Sequence, residues 1–247
     1  NPSIFHSAIK SSTAYDASIR TKLNEGKSGE KLFFDLAIED VAQAADLFRP
    51  VFERTCGVDG WASLEVSPLL AYDTKTTIAV AKELHARAAR PNLFIKIPGT
   101  RAGVPAIEEA IFAGVPINVT LLFSREQYLA SANAYLTGIE RRIAAGLDPK
   151  VDSAASLFVS RWDVAVKDRL PPDKRNRLGI AIAKRTYKAY RELLASPRWQ
   201  ELAAAGAHAQ RLLWASTGTK DPDASDTLYV EALAAPDTVD TIPDKTL

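Results

Sequence analysis

The sequence predicts an α/β protein built on a mainly parallel sheet. Short, nearly continuous apolar runs alternate with longer amphipathic segments, which is the pattern of strands joined by helical crossovers. The apolar runs show little alternation with polar residues, as expected when both faces of a sheet are buried. No long linker, low-complexity tract or internal repeat interrupts the 247 residues.

Six apolar runs are predicted as strands, at residues 61–67, 93–98, 116–123, 154–160, 212–216 and 238–242. The amphipathic segments are predicted as helices, at residues 28–54, 74–89, 104–113, 124–145, 177–195, 198–205 and 224–234, with a further helix following Trp162. Asp73 and Ser124 are predicted N-caps, because their side-chain oxygens can accept hydrogen bonds from free backbone N–H groups. Pro171 and Pro172 are predicted to end a helix, since proline has no N–H to donate.

Two architectures share this pattern: a doubly wound open sheet and a (β/α)8 TIM-type barrel. Doubly wound nucleotide binders usually carry a glycine-rich turn after a strand. Neither GxGxxG nor GxxxxGK[ST] occurs in this sequence, so the barrel is favoured. A barrel needs eight strands, however, and only six are predicted.

The composition excludes several classes of protein. Lys and Arg number 31 against 30 Asp and Glu, whereas nucleic-acid binders usually carry a basic excess. No stretch approaches the roughly 20 consecutive apolar residues of a membrane span. The single cysteine, Cys56, excludes an intrachain disulfide framework and a cysteine-rich zinc site, and indicates a reducing compartment. We therefore expect neither nucleic acid nor membrane as a partner, and no metal ion.

Polar side chains interrupt five of the predicted strands. They are Glu65, Lys96, Asn118 with Thr120, Ser156 with Ser160, and Ser216, and Arg161 follows directly after Ser160. The carboxyl ends of barrel strands meet at one mouth, where active sites lie, so we expect these side chains to converge. For any single Ser or Thr, a structural hydrogen bond is the alternative interpretation.

Lys96 is the most informative of these residues, because it lies in the apolar run Phe94-Ile-Lys-Ile-Pro98. A lysine desolvated in an apolar pocket has a lowered pKa and a larger neutral fraction that can attack a carbonyl group. The predicted chemistry is therefore Schiff-base formation. The alternative is a structural lysine paired with Glu65 of the neighbouring strand.

These segments, taken in order, resemble the transaldolase family. The resemblance is carried by Trp61-Ala-Ser-Leu-Glu-Val-Ser67, Leu93-Phe-Ile-Lys-Ile-Pro-Gly-Thr100, Ile117-Asn-Val-Thr-Leu-Leu-Phe-Ser124, Ser156-Leu-Phe-Val-Ser-Arg161 and Trp214-Ala-Ser-Thr-Gly-Thr-Lys220. It covers essentially the whole chain, including the opening Asn-Pro-Ser. The most similar subgroup is the bacterial type with Ser-Thr-Gly-Thr-Lys near its end, and some of its members are fused to glucose-6-phosphate isomerase.

The resemblance implies roles for individual residues. Lys96 would be the Schiff-base lysine on the fourth strand of the family's barrel, and Glu65 the acid/base on the third, acting through a water held by Thr120. The implied substrate contacts are Asn118, Ser156 and Asn1 to the dihydroxyacetone unit, Arg161 and Ser216 to the phosphate, and Phe158 as a pocket wall. An aromatic residue in a buried strand is also commonly a core residue, which is the alternative for Phe158.

The sequence departs from the family pattern at two places. The family carries an acid/base aspartate on its first strand, ahead of the Asn-Pro motif, and no residue precedes Asn1. We therefore expect residues 1–247 to form one barrel domain without the first strand and most of the second, and the domain is left open at its C-terminal end as well. The absence of methionine agrees with this expectation. Many members have an arginine where this sequence has Gly218, so Lys220 is either its substitute or a surface lysine.

The resemblance implies a cytoplasmic, cofactor-free transaldolase of the pentose phosphate pathway. It would transfer a dihydroxyacetone unit between the pairs sedoheptulose 7-phosphate/glyceraldehyde 3-phosphate and fructose 6-phosphate/erythrose 4-phosphate. The alternatives are a fructose-6-phosphate aldolase of the same fold and a non-catalytic sugar-phosphate-binding domain of a fusion protein. Its oligomeric state is left open, as is its association with an isomerase domain.

Overall fold

A computed structural model describes residues 2–247 as alternating strands and helices. The strands are β1 (Ala62–Glu65), β2 (Leu93–Pro98), β3 (Ile117–Leu122), β4 (Ser153–Phe158), β5 (Arg211–Ala215) and β6 (Thr238–Asp240). The helices are α1 (Pro2–Ser11), α2 (Asp16–Asn24), α3 (Gly29–Arg54), α4 (Thr74–Ala88), α5 (Gly103–Phe112), α6 (Arg125–Ala144), α7 (Ser160–Val166), α8 (Leu178–Leu194), α9 (Pro197–Ala204) and α10 (Leu228–Leu233). No helix in this part of the chain is long and apolar enough to cross a membrane.

All six predicted strands are confirmed, and so are both predicted N-caps. Asp73 Oδ1 accepts a hydrogen bond from the Thr76 N–H at 3.0 Å, and Ser124 Oγ accepts one from the Gln127 N–H at 3.1 Å. These bonds satisfy backbone donors that have no partner within the first turn of a helix.

The observed helices differ from the predicted ones at three places. Helices α1 and α2 were not predicted; they form because Phe5 and the partly buried Ile19 pack into the main core. The helix expected after Trp162 begins at Ser160, two residues before that tryptophan, so Arg161 lies in its first turn. The last helix is shorter than the predicted 224–234, because the polar segment that precedes Leu228 forms turns.

The sheet is parallel throughout, and its strand order is sequential, from β1 to β6. A doubly wound sheet reverses its strand order at a switch point, whereas a barrel keeps the strands in chain order. The topology therefore confirms the predicted α/β class and is consistent with the barrel. Within residues 2–247 the sheet stays open, with β1 and β6 as its edges.

The helices cover one face of the sheet. Alternate strand residues join the helices in one core, namely Leu64, Ile95, Ile97, Ile117, Val119, Ala155, Leu157, Leu212 and Trp214. The opposite face, here called the inner face, carries a separate small apolar cluster of Ala154, Leu213 and Ala215, with Phe158 and Val239 packed against it. A doubly wound sheet has helices on both faces, so the one-sided arrangement also favours a barrel.

Candidate active site

The strand register places three of the predicted site residues side by side. Glu65 at the end of β1 is paired with Lys96 on β2, and Lys96 is paired with Asn118 on β3. Neighbouring strands lie about 4.8 Å apart, and paired residues project to the same face. Because Leu64, Ile95 and other alternate residues face the helices, these three side chains project from the inner face.

Lys96 has the electrostatic environment that a nucleophilic amine requires. Burial lowers the pKa of Lys96 below its ordinary value, and the negative charge of Glu65 opposes this shift only in part. Among the described residues, the Lys96 side chain forms neither a hydrogen bond nor a salt bridge. The ion pair with Glu65, which was the structural alternative for this lysine, is therefore not formed.

Asn118 is held by hydrogen bonds on both sides of its amide. Ser156 Oγ donates to Asn118 Oδ1 at 2.7 Å, and Asn118 Nδ2 donates to Ser63 Oγ at 3.3 Å. Asn118 and Ser156 are only 5% and 1% exposed, so water reaches this network poorly. The sequence indicated Asn118 and Ser156, but Ser63 was missed, although it lies two residues before Glu65 on the same face of β1.

Thr120 lies on the inner face one step beyond Asn118, opposite Pro98 of β2. Its backbone carbonyl accepts a hydrogen bond from the Gly99 N–H at 2.8 Å, which continues the sheet past the end of β2. Its side chain is fully buried, and a hydroxyl there can hold a single water or a substrate hydroxyl close to Lys96.

A β-bulge follows Thr120 directly. Val119 pairs with Ala155, but Leu122 pairs with Leu157, so β3 contains one residue more than β4 over this interval. The extra residue lies in the left-handed region, since Leu121 has φ 59° and its side chain is 41% exposed. Bulges are common beside active sites, where they redirect side chains. No sequence signal marks this one, because leucine is not a residue that favours positive φ.

The second group of predicted site residues lies beyond the carboxyl ends of β4 and β5. Ser160 and Ser216 are joined by their hydroxyl groups at 2.9 Å, and the Ser160 N–H donates to the Ser216 carbonyl at 3.0 Å. Ser216 has φ 56°, a conformation that is unfavourable for a residue with a side chain. Arg161 is exposed on the first turn of α7, beside this serine pair in the chain.

Phe158 is partly buried between the inner-face cluster and a neighbouring ring. It packs against the cluster that contains Ala215, and its ring centroid lies 5.5 Å from that of Phe123. Phe158 thus serves the packing of the inner face and remains partly exposed.

Lys220 lies beside Gly218, the position at which the family resemblance places an arginine. The Lys220 ammonium nitrogen is 3.7 Å from the position that a Cβ atom on Gly218 would occupy. A Pro243 ring carbon lies 3.1 Å from the same position, so Gly218 fits closely under both groups.

The structure therefore brings the predicted residues together in two groups at the same edge of the sheet. The first group, on the inner face, is Glu65, Lys96, Asn118, Thr120 and Ser156. The second group, in the segments that follow β4 and β5, is Arg161, Ser216 and Lys220. Asn1 lies outside the described residues. Within residues 2–247, no cluster of three or more His, Cys, Asp or Glu side chains is arranged to hold a metal ion.

Known proteins resemble this sequence over its whole length. The family model described as Transaldolase/Fructose-6-phosphate aldolase matches residues 1–247. The chain is 48% identical to a protein of Arthrobacter sp. (strain FB24) named Transaldolase, and 47% identical to one of Thermobifida fusca (strain YX) with the same name. It is 43% identical to Transaldolase 2 of Nostoc punctiforme. Each match covers 100% of this chain and 69% of the relative. The chain belongs to the transaldolase/fructose-6-phosphate aldolase family.

Proposed function

We propose that this protein is a transaldolase that transfers a dihydroxyacetone unit between sugar phosphates through a Schiff base on Lys96. The observation that carries the proposal is the desolvated Lys96 amine on the inner face, between Glu65 and Asn118. Burial keeps a larger fraction of this amine neutral, and a neutral amine is the nucleophile that Schiff-base formation needs.

The first half of the reaction forms the imine and breaks a carbon–carbon bond. Lys96 Nζ attacks the C2 carbonyl carbon of a ketose phosphate, and the resulting carbinolamine loses water to give a protonated imine. The C4 hydroxyl then passes its proton to a base, which in the family is the aspartate ahead of the Asn-Pro motif, while the C3–C4 bond breaks. The electron pair of that bond moves towards the imine nitrogen, and an aldose phosphate leaves.

The second half reverses these steps on a new aldehyde. The enamine carbon attacks the carbonyl carbon of an acceptor aldose phosphate, and the aldehyde oxygen takes up the proton that the base received in the first half. Water then hydrolyses the new imine, which releases the product and restores the Lys96 amine. Glu65 lies next to Lys96 in the register, so it can move protons to and from the carbinolamine through a water bound by Thr120. Asn118 and Ser156 bind the dihydroxyacetone hydroxyl groups.

Arg161, Ser216 and Lys220 form the phosphate end of the proposed site. Arg161 is exposed and can bind two phosphate oxygens at once, while the Ser216 hydroxyl can bind a third. Lys220 supplies a point charge near Gly218. For Asn1 a contact with the dihydroxyacetone unit, and for Phe158 a contact with the pocket, rest on the family resemblance.

Chemical trapping tests the proposal directly. Borohydride reduction of the natural full-length protein in the presence of fructose 6-phosphate should leave a stable adduct on Lys96, located by mass spectrometry. Lys96→Ala should abolish the adduct, whereas Lys82→Ala, a matched change on the exposed side of α4, should not. An adduct on another lysine, or none, would show that the mechanism is wrong. Transfer to erythrose 4-phosphate, rather than release of free dihydroxyacetone, separates the transaldolase from an aldolase.

We also propose that residues 1–247 act as one barrel domain of a cytoplasmic enzyme. The support is that the main apolar core includes both Phe5 near the start and Leu233 near the end. Limited proteolysis should therefore cut few sites between these two residues. Association with a glucose-6-phosphate isomerase domain rests on the resemblance alone, and isomerase activity that copurifies with the native polypeptide would test it.

A further inference from the structure

A small cavity lined by basic residues lies next to the serine pair. It is enclosed by α7, by the segment that precedes α8 and by the loop that follows β5, and its volume is about 20 Å³. Its basic lining residues are Lys167, Arg175 and Lys220, and Ser160 lines it as well. Because Ser160 is hydrogen-bonded to Ser216, this basic cavity borders the phosphate end of the proposed site.

The basic groups of this cavity have few partners. In the described part of the chain, none of Lys167, Arg175 and Lys220 forms a salt bridge. Arg175 Nε is buried and has no hydrogen-bond partner. A buried N–H without an acceptor is costly and uncommon in folded proteins, so an acceptor supplied by a ligand would relieve that cost.

The two aspartates of the cavity do not fill this need. Asp163 already accepts hydrogen bonds from the Leu178 and Gly179 N–H groups and from the Tyr229 hydroxyl. Asp221 accepts a hydrogen bond from Asn176 Nδ2 at 2.8 Å. That bond holds the pKa of Asp221 below its ordinary value, with a smaller contribution from the charges of Lys167 and Arg175. Three basic side chains thus face two carboxylates that other donors already occupy.

We propose that Arg175 and Lys167, together with Lys220, form an anion-binding extension that holds the phosphate group of the sugar-phosphate substrate. The proposal rests on the proposed function, because it places this extension at the end of the same site. The cavity has room for about one water molecule, so the phosphate binds at its mouth, with oxygens directed towards Arg175 Nε and the lysine ammonium groups. Arg175 is partly buried and gives a fixed donor, while exposed Lys167 and Lys220 adapt to the anion.

The test compares variants of the natural full-length enzyme. Arg175→Gln should raise KM for fructose 6-phosphate about tenfold, because a charge-assisted hydrogen bond to the phosphate is lost. Lys167→Gln should have a smaller effect in the same direction. Inhibition by inorganic phosphate, used as a competitor, should weaken by the same factor as substrate binding. Arg177→Gln is the matched control, since Arg177 is an exposed arginine two residues away that does not line the cavity.

A substrate without phosphate separates this proposal from the proposed function. Borohydride trapping with free dihydroxyacetone should label Lys96 equally well in the wild type, Arg175→Gln and Lys167→Gln. If the wild type gives no adduct, the Schiff-base function is wrong. If the adduct forms but KM and phosphate inhibition in Arg175→Gln match those of Arg177→Gln, the anion-binding extension is wrong. Arg175→Lys, which keeps the charge, should recover part of the affinity and so exclude misfolding as the cause.

Discussion

The hydrogen bond between Ser156 and Asn118 yields the most specific prediction for the candidate site. Ser156→Ala removes the hydroxyl that donates to Asn118 Oδ1 at 2.7 Å. Asn118 is 5% exposed, so water cannot readily replace the lost donor. The amide keeps only its 3.3 Å bond to Ser63, and its orientation beside Lys96 is no longer fixed from both sides.

The cost of this change can be estimated from burial. Leaving one buried acceptor without a donor costs about 1–3 kcal/mol, and we expect a loss of about 2 kcal/mol for Ser156→Ala. In a protein of this size, that loss lowers Tm by about 4–8 °C. The same substitution should lower kcat/KM about 10- to 100-fold, because a substrate-binding hydroxyl and the fixed amide are lost together.

Ser153→Ala provides the matched control for this experiment. Ser153 lies at the opposite end of β4, where its buried hydroxyl donates to the Ile117 carbonyl at 2.7 Å and accepts from Gln210 Nε2 at 2.9 Å. Its loss should lower the free energy of unfolding by a similar amount and leave kcat/KM unchanged. Thermal unfolding and steady-state kinetics of both variants measure the two effects separately. Equal kcat/KM values for Ser156→Ala and Ser153→Ala would refute a role for the Ser156–Asn118 bond in the site.

Three further changes test other parts of the structure. Lys96→Met should raise the free energy of unfolding at neutral pH by about 1–2 kcal/mol, because it replaces a buried amine by an apolar side chain of similar length. Burial depresses the pKa of Lys96 in the folded protein, so between the folded and the unfolded pKa values the unfolded chain binds more protons. In that pH range the stability of the wild type should rise with pH. The stability advantage of Lys96→Met should therefore shrink as pH rises, which urea unfolding can measure. Leu121→Val should lower the free energy of unfolding by about 1 kcal/mol or more, because a β-branched residue is poorly accommodated at φ 59°. Leu121→Gly should be tolerated, and thermal unfolding of both variants measures the difference. Asp163→Ala should lower the free energy of unfolding by about 3 kcal/mol, because it leaves the Leu178, Gly179 and Tyr229 donors without an acceptor. A decrease below about 1 kcal/mol in urea unfolding would contradict this structural role of Asp163.

The strands could be predicted because their signal is local. In Leu93–Pro98 and Ile117–Leu122 the apolar content needed to bury both faces is present in six consecutive residues. The charged Lys96 was visible against that background, so the first group of site residues could be predicted as a set. Their pairing followed from the parallel register, which brings Glu65, Lys96 and Asn118 to one level of the sheet.

The features that could not be predicted depend on contacts between distant residues. The bulge at Leu121 lies where the register between β3 and β4 shifts, and no local sequence pattern encodes it. Ser63 acquires its role from Asn118, which is 55 residues away in the sequence. Helix α1 is stabilised by the contacts of Phe5 with the rings of Tyr15 and Phe33, so its amphipathic pattern alone was a weak signal.

Gly218 and Lys220 are best understood as one unit. A Cβ atom at position 218 would lie 3.1 Å from Pro243 and 3.7 Å from the Lys220 ammonium nitrogen, so a long side chain at 218 would compete with Lys220 for the same space. The absence of a side chain at Gly218 therefore allows the charge to come from two residues later in the chain. A lysine ammonium is a flexible point charge, whereas a guanidinium binds phosphate oxygens in a fixed planar geometry. In our proposal, Lys220 therefore adapts to the phosphate, while Arg161 and the partly buried Arg175 supply the planar guanidinium donors at this end of the site.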